Sequence, residues 1–215
     1  MKLIATLFLL ISLLIAGCSI DKSNTEKKKD KTPTVNKDKS AGIYGYESGM
    51  VETHFGDTKN KEILYFDKWG TLSAKYVYTE NRHTGELIMS SIEIIKNGIT
   101  YFIDPIAKTG LKMGNPFGQN DIGDAKDLLG FKEERKVKML GSHLSGTELL
   151  NGKKCAVYRD NAKEMSQTTY IHMGLVLKTI ITLDGDEIIS EATDIQFNVK
   201  IPAKIFEIPK GIRFN

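Results

Sequence analysis

Three consecutive stretches decide the fold class: Leu175-Val176-Leu177-Lys178-Thr179-Ile180-Ile181-Thr182-Leu183, then Asp184-Gly185-Asp186-Glu187, then Ile188-Ile189-Ser190-Glu191-Ala192-Thr193-Asp194-Ile195-Gln196-Phe197-Asn198-Val199. In the first run Leu175, Leu177, Ile181 and Leu183 recur at period two, and in the last Ile189, Ile195, Phe197 and Val199 do the same. Period two places apolar side chains on one face of an extended chain, so each run reads as a strand with one buried face. The Asp-Gly pair between them supplies the tight turn of a hairpin.

The same reading extends upstream. Asn97-Gly98 separates Ile94-Ile95 from Ile99, and Asn151-Gly152 separates Leu149-Leu150 from the strand around Cys155 and Val157. Asn-Gly provides the two positive φ values of a type I′ hairpin turn. Strands are expected at 72–79, 86–96, 99–103, 153–159, 175–183 and 188–199, preceded by 43–55 and 61–66, with 142–149 and 168–172 between. Strands joined mainly by hairpins form an antiparallel sheet, which excludes a parallel α/β fold. Leu72, Ala74, Tyr76 and Tyr78 share one face, whereas Ile92-Glu93-Ile94-Ile95 is apolar on both sides, as expected where both faces of a sheet are covered. One helix is predicted over 121–129: Asn120-Asp121 caps it, Ile122, Ala125, Leu128 and Leu129 keep helical spacing, and Gly130 ends it. The charged residues 131–138 could add a second.

Charge and hydropathy divide the chain. After Met1-Lys2 comes an apolar run, Leu3 to Ala16, too short for a comfortable membrane span and the right length for a signal peptide. It ends in Ile15-Ala16-Gly17-Cys18, which resembles the lipobox of bacterial lipoproteins, with Ile where Leu is more usual. That resemblance implies cleavage before Cys18 and acylation of its thiol. Two or three acyl chains, at about 0.8 kcal/mol per buried methylene, give lasting membrane attachment. An ordinary secretory signal or an uncleaved anchor is the alternative reading. Ser19, instead of Asp, implies delivery to the outer membrane where a cell has two.

Residues 18–40 read as a polar tether: between 21 and 39 stand seven lysines (22, 27, 28, 29, 31, 37, 39) and four acids (21, 26, 30, 38), with no aromatic residue. The formal +3 of the whole chain therefore resides in the leader and the tether, and residues 41–215 carry about −1. A nearly neutral folded domain argues against nucleic acid as a partner. The domain organisation expected is a signal peptide at 1–17, an acylated cysteine and tether at 18–40, and one β-rich domain at 41–215.

The chemistry-bearing residues point away from catalysis and away from any metal or cofactor. No zinc-protease, nucleophile-elbow, phosphate-loop or dinucleotide motif occurs. His54, His83, His143 and His172 lie on separate elements without ligand spacing, and Asp184 and Asp186 lack the rest of a calcium loop. Cys155, among Ala156, Val157 and Tyr158, reads as a buried, inert thiol with no cysteine left to pair with it once Cys18 is acylated. Trp69, between Asp67-Lys68 and Gly70, is expected beside a hairpin turn or at a cavity rim.

A family resemblance rests on several stretches in order: Tyr44-Gly45-Tyr46-Glu47-Ser48-Gly49-Met50-Val51, Leu64-Tyr65-Phe66-Asp67-Lys68-Trp69-Gly70, Gly146-Thr147-Glu148 leading into Asn151 to Tyr158, Tyr170 to Lys178, and the ending Pro202-Ala203-Lys204-Ile205-Phe206-Glu207-Ile208-Pro209-Lys210-Gly211. Over 43–211 this resembles LolA/LolB-like periplasmic proteins and small lipoproteins with a similar ending, departing where Met173 stands before Gly174 in place of an aromatic residue. The resemblance implies a mainly β (α+β) fold, an unclosed antiparallel β-barrel with one or two helices packed in or over its concave face. It implies an apolar cavity for acyl chains, with Tyr76, Tyr78, Ile88, Leu177, Ile181, Ile195 and Phe197 as candidate lining residues; plain core is the alternative reading for each of them and the commoner role of such residues. The function expected is an envelope-anchored, non-enzymatic lipoprotein that binds or carries a lipid or other hydrophobic ligand. The alternative is a structural lipoprotein with a filled core that docks an envelope protein.

Overall fold

The computed structural model describes residues 43–114, 142–161 and 165–214. Cys18 with the signal peptide and tether, the predicted helix at 121–129 and the charged stretch 131–138 lie outside the described residues. No helix among the described residues is long and apolar enough to cross a membrane.

The strands are β1 (Gly49–Phe55), β2 (Lys61–Asp67), β3 (Leu72–Glu80), β4 (Leu87–Lys96), β5 (Ile99–Asp104), β6 (Thr109–Gly114), β7 (His143–Leu150), β8 (Lys153–Asn161), β9 (Met165–His172), β10 (Leu175–Leu183), β11 (Asp186–Phe197) and β12 (Arg213–Phe214). They form one unclosed sheet in the order β12-β6-β5-β4-β3-β2-β1-β11-β10-β9-β8-β7. Every neighbouring pair is antiparallel except β12 against β6. The only helical pieces described are single 3-10 turns at Lys68–Gly70 and Ala203–Phe206.

Local chemistry accounts for most of the ladder. Asn97 and Gly98 both take positive φ (53° and 71°), as do Asn151 and Gly152 (49° and 73°) and Asp184 and Gly185 (53° and 90°), which is the backbone a two-residue hairpin requires. Met173 and Gly174 (49° and 83°) make a fourth such turn. The expected strand over 43–55 begins only at Gly49, because residues 43–48 bond instead to the β2–β3 and β9–β10 turns. Strands β6 and β12 were not foreseen: Thr109-Gly110-Leu111-Lys112-Met113-Gly114 carries two glycines and no apolar run. Gly110 is needed there, since a Cβ would sit 2.6 Å from the Phe214 ring and 2.9 Å from the Phe102 carbonyl oxygen.

The sheet carries a core on each face. Val51, Leu64, Phe66, Ala192, Ile195 and Phe197 share one face by register and pack beneath Ile43, Tyr44 and Tyr46, in a cluster that also includes Cys155, Leu175 and Leu177. On the opposite face Tyr65, Ala74, Tyr76, Ile92, Ile94, Tyr101 and Ile103 pack beneath Ile201, Ile205, Phe206 and Ile208 of the C-terminal segment. In 92–95, Ile92 and Ile94 face the C-terminal segment, while Glu93 and the buried Ile95 lie on the other face.

Four bulges reset the faces. One leaves Thr193 unpaired, since Glu52 opposes Asp194 while Thr53 opposes Ala192. Ile189 therefore lies on the face opposite Ile195 and Phe197, contrary to the simple period-two expectation. Others fall at Leu177 in β10, at Ser90 in β4 and at Ser145 in β7. Bulges bend a strand and raise its twist. The Asn151 turn of β7–β8 lines the same groove as His54 of β1. Four steps of about 4.8 Å would separate their strands in a flat sheet, so the sheet bends.

Candidate functional site

The site is built by alternation within β5. Ile99, Tyr101 and Ile103 turn toward the C-terminal segment, which forces Phe102 onto the other face. There Phe102 stands opposite Leu111 of β6, and Thr100 opposite Met113. The Ser90 bulge brings Ile88 onto this face opposite Thr79. Register continues the face through Glu93 and Lys75 to Leu64 and Val51. On this stretch Ile88, Phe102, Leu111 and Met113 are 36%, 42%, 48% and 44% exposed. Phe102, Leu111 and Met113 are neighbours by register, with Ile88 further along the same face beyond Glu93 and Ser91, and exposed apolar residues grouped in this way mark an interaction surface better than scattered ones do. Beside it lies the Lys75–Glu93 ion pair, 3.4 Å. An apolar strip with charges at its border suits an amphiphile, whose chain is buried while its head group stays hydrated.

The seven residues expected to line one cavity are divided between the two faces. Leu177, Ile195 and Phe197 join the cluster beneath Tyr44 and Tyr46. Ile181 lies opposite Ile188 and is half-buried. Ile88 belongs to the exposed strip. Tyr76 and Tyr78 sit on the opposite face. The Tyr76 hydroxyl donates to the Ile205 carbonyl at 2.6 Å, and burial pushes its pKa up. The Tyr78 ring lies 6.0 Å from the Lys61 ammonium. The structure thus brings together Leu177, Ile195 and Phe197 and separates them from the tyrosines. Phe102, Leu111 and Met113 were not singled out from the sequence, although the alternation of 99–103 implies the outward turn of Phe102.

Two polar constellations flank these surfaces. Tyr46 stacks on Phe197 with centroids 3.7 Å apart and its hydroxyl lies 2.7 Å from His172 Nε2. His172 Nδ1 lies 2.8 Å from the Lys154 carbonyl, so Nδ1 is the donor there and Nε2 accepts from the Tyr46 hydroxyl. Burial raises the pKa of Tyr46 as well, which keeps it a donor. On the outer side of β1, Glu52 receives His54 at 2.8 Å and Lys61 at 3.2 Å to each oxygen. Burial alone would push the Glu52 carboxyl up, but the hydrogen bonds and charges of His54 and Lys61 outweigh it and hold the carboxyl below its ordinary value. An open groove of about 440 Å³ beside it is lined by His54, Asp57, Asn151, Ile189, Glu191 and Thr193 among others.

Cys155 is fully buried, its thiol 3.5 Å from the Lys153 carbonyl, and burial pushes its pKa up. A raised pKa withholds the thiolate that nucleophilic chemistry needs. Among the described residues no group of three or more His, Cys, Asp or Glu side chains could hold a metal ion.

No known family model matches the sequence, and no curated protein does. Solved structures do match. An uncharacterized conserved protein from Thermus thermophilus aligns with a TM-score of 0.49 at 9% identity, covering 83% of this chain and 94% of that one. LprF from Mycobacterium bovis aligns with a TM-score of 0.33 at 11% identity, covering 77% and 92%. MucB, in its complex with MucA(peri), aligns with a TM-score of 0.42 at 10% identity, covering 77% of this chain and 55% of that one.

Proposed function

We propose that this chain is a non-enzymatic envelope lipoprotein, acylated at Cys18, whose β-rich domain binds or carries a lipid or other hydrophobic ligand on the face of an open β-barrel. In this reading residues 1–17 are removed on export and 18–40 tether the domain to the membrane, on the periplasmic side of the outer membrane in a cell that has two. The observation that carries the reading is the exposed patch of Phe102, Leu111 and Met113, with Ile88 further along the same face of a bent, unclosed sheet. Covering apolar surface contributes about 25 cal/mol per Å², so an acyl chain hiding about 200 Å² gains about 5 kcal/mol before the costs of ordering it. The acyl anchor is tested by metabolic labelling with radioactive palmitate in the native host: wild type takes up label and Cys18→Ser does not. The binding is tested by native mass spectrometry of the purified protein and by titration with a fluorescent fatty acid. Absence of both co-purified lipid and probe uptake sinks the ligand reading while leaving the anchor standing.

One observation favours the alternative, a lipoprotein that docks an envelope protein. Among the described residues strand β7 pairs only with β8, every residue from His143 to Leu149 is exposed, and Leu144 and Leu149 are 56% and 77% exposed. A free strand edge is a template for pairing with another chain. Cross-linking in intact cells from position 147 that returns one dominant protein partner supports this alternative.

A further inference from the structure

The sheet has a seam. The β10–β11 ladder joins 178–183 to 186–191 and ends there. Beyond it come the two neighbouring bulges at Leu177 and Thr193, and residues 175–177 have no ladder partners in 192–197. Residues 43–48 bridge this end of the sheet. Ile43 and Tyr44 N–H donate to the Trp69 carbonyl at 2.6 and 3.2 Å, and Trp69 N–H donates to the Glu47 carbonyl at 2.8 Å. Gly45 N–H donates to the Met173 carbonyl at 2.9 Å, in the β9–β10 turn. The Ser48 carbonyl accepts from Asn198 N–H and its hydroxyl donates to the Val199 carbonyl, both at 2.8 Å. Tyr46 stands between Phe197 of β11 and His172 of β9. The segment is therefore bonded to the β2–β3 turn, the β9–β10 turn and the end of β11 at once.

The receiving turn is strained in a way that its bonds to this segment explain. Lys68, Trp69 and Gly70 take φ of 51°, 59° and 85° in succession. Left-handed backbone is unfavourable for residues with a Cβ and persists where the surroundings over-determine it. Here the turn presents both the N–H and the carbonyl of Trp69 to 43–47, and Gly70 leaves room for the Tyr44 ring, which a Cβ would approach to 2.6 Å.

We infer that residues 43–48 are a tie across this seam. Docked, they hold the β8–β10 leaf against β1 and β11. Undocked, the leaf swings about the surviving 178–183/186–191 ladder and uncovers the apolar cluster of Phe66, Leu175, Leu177 and Phe197. The inference does not depend on what the protein binds.

Native-state hydrogen exchange on the full chain in detergent, read by mass spectrometry, tests it. In the unmodified protein, peptides over 43–48, 67–71 and 197–199, which carry the N–H groups bonded to or from the tie, exchange at one shared rate through a partial opening, about tenfold or more faster than those over β3–β5. Gly70→Val, which drives a side chain into Tyr44, accelerates all three seam peptides by about tenfold or more and leaves β3–β5 unchanged. Gly152→Val, at a comparable φ of 73° with nothing within 4 Å of the new Cβ, leaves the seam peptides alone. Tyr46→Phe, which removes only the hydroxyl bond to His172, gives the same pattern at smaller size and serves if Gly70→Val does not fold. Acceleration confined to 43–48, or spread evenly over every strand, overturns the inference.

Discussion

Replacing Phe102 and Leu111 together by serine separates a binding surface from a folding core. The two side chains stand opposite each other on β5 and β6 and are 42% and 48% exposed. At about 200 Å² for a large apolar side chain, they offer about 180 Å² to a ligand, worth about 4.5 kcal/mol if fully covered. A ligand that hides half of this loses about 2 kcal/mol on the double substitution, about 30-fold in affinity. The folded state loses less than a buried pair would, because neither side chain belongs to the fully buried core; a destabilisation of about 1–2 kcal/mol is expected. Titration of wild type and variant with a fluorescent fatty acid measures the first quantity, and urea denaturation the second. An unchanged dissociation constant in a variant that folds refutes the assignment of this strip as the ligand surface. A loss of binding matched by a loss of folded protein would instead make the strip part of the core.

Three single side chains give further tests. Gly110→Val pushes a side chain into the Phe214 ring, 2.6 Å from the Cβ position, and the Phe102 carbonyl; it should detach β12 and cost about 1–3 kcal/mol by urea denaturation, and a neutral result contradicts the packing described for Gly110. The Cys155 thiol, buried and with its pKa raised, should react with a thiol reagent at pH 8 only as fast as the domain opens, so that mild urea accelerates labelling steeply; rapid labelling in native buffer contradicts its burial. Glu52 has a folded pKa below its unfolded value of about 4.3. Its contribution to stability is therefore present above that value and lost as pH falls through the folded pKa. Glu52→Gln should lower Tm at pH 6 and flatten the acid limb below the ordinary carboxylate pKa of about 4.3, and an unchanged acid limb shows that the His54 and Lys61 contacts contribute nothing.

Much of the candidate site is hidden from a single sequence for a reason visible in Phe102. Whether an apolar residue on a strand that is apolar on both sides is core or surface depends on what lies over each face. The C-terminal segment covers the face of Tyr101 and Ile103, not that of Phe102. The resemblance places Tyr76 and Phe197 along one cavity, yet Tyr76 hydrogen-bonds Ile205 and Phe197 stacks on Tyr46, on opposite faces of the sheet.

The antiparallel, β-rich class was determined by the sequence alone, because it rests on interactions a few residues long. Asn97-Gly98, Asn151-Gly152 and Asp184-Gly185 reverse the chain by backbone preference, and alternation in the flanking runs makes strands. Which side chains share a face was decided only by the tertiary structure. The unpaired residues Ser90, Leu177 and Thr193 reverse the alternation, and a bulge forms in response to a partner strand distant in sequence. The destination of residues 43–48 is of the same kind: their pattern reads as strand, and the left-handed turn at Trp69 with the open seam beside Leu177 draws them across the sheet instead.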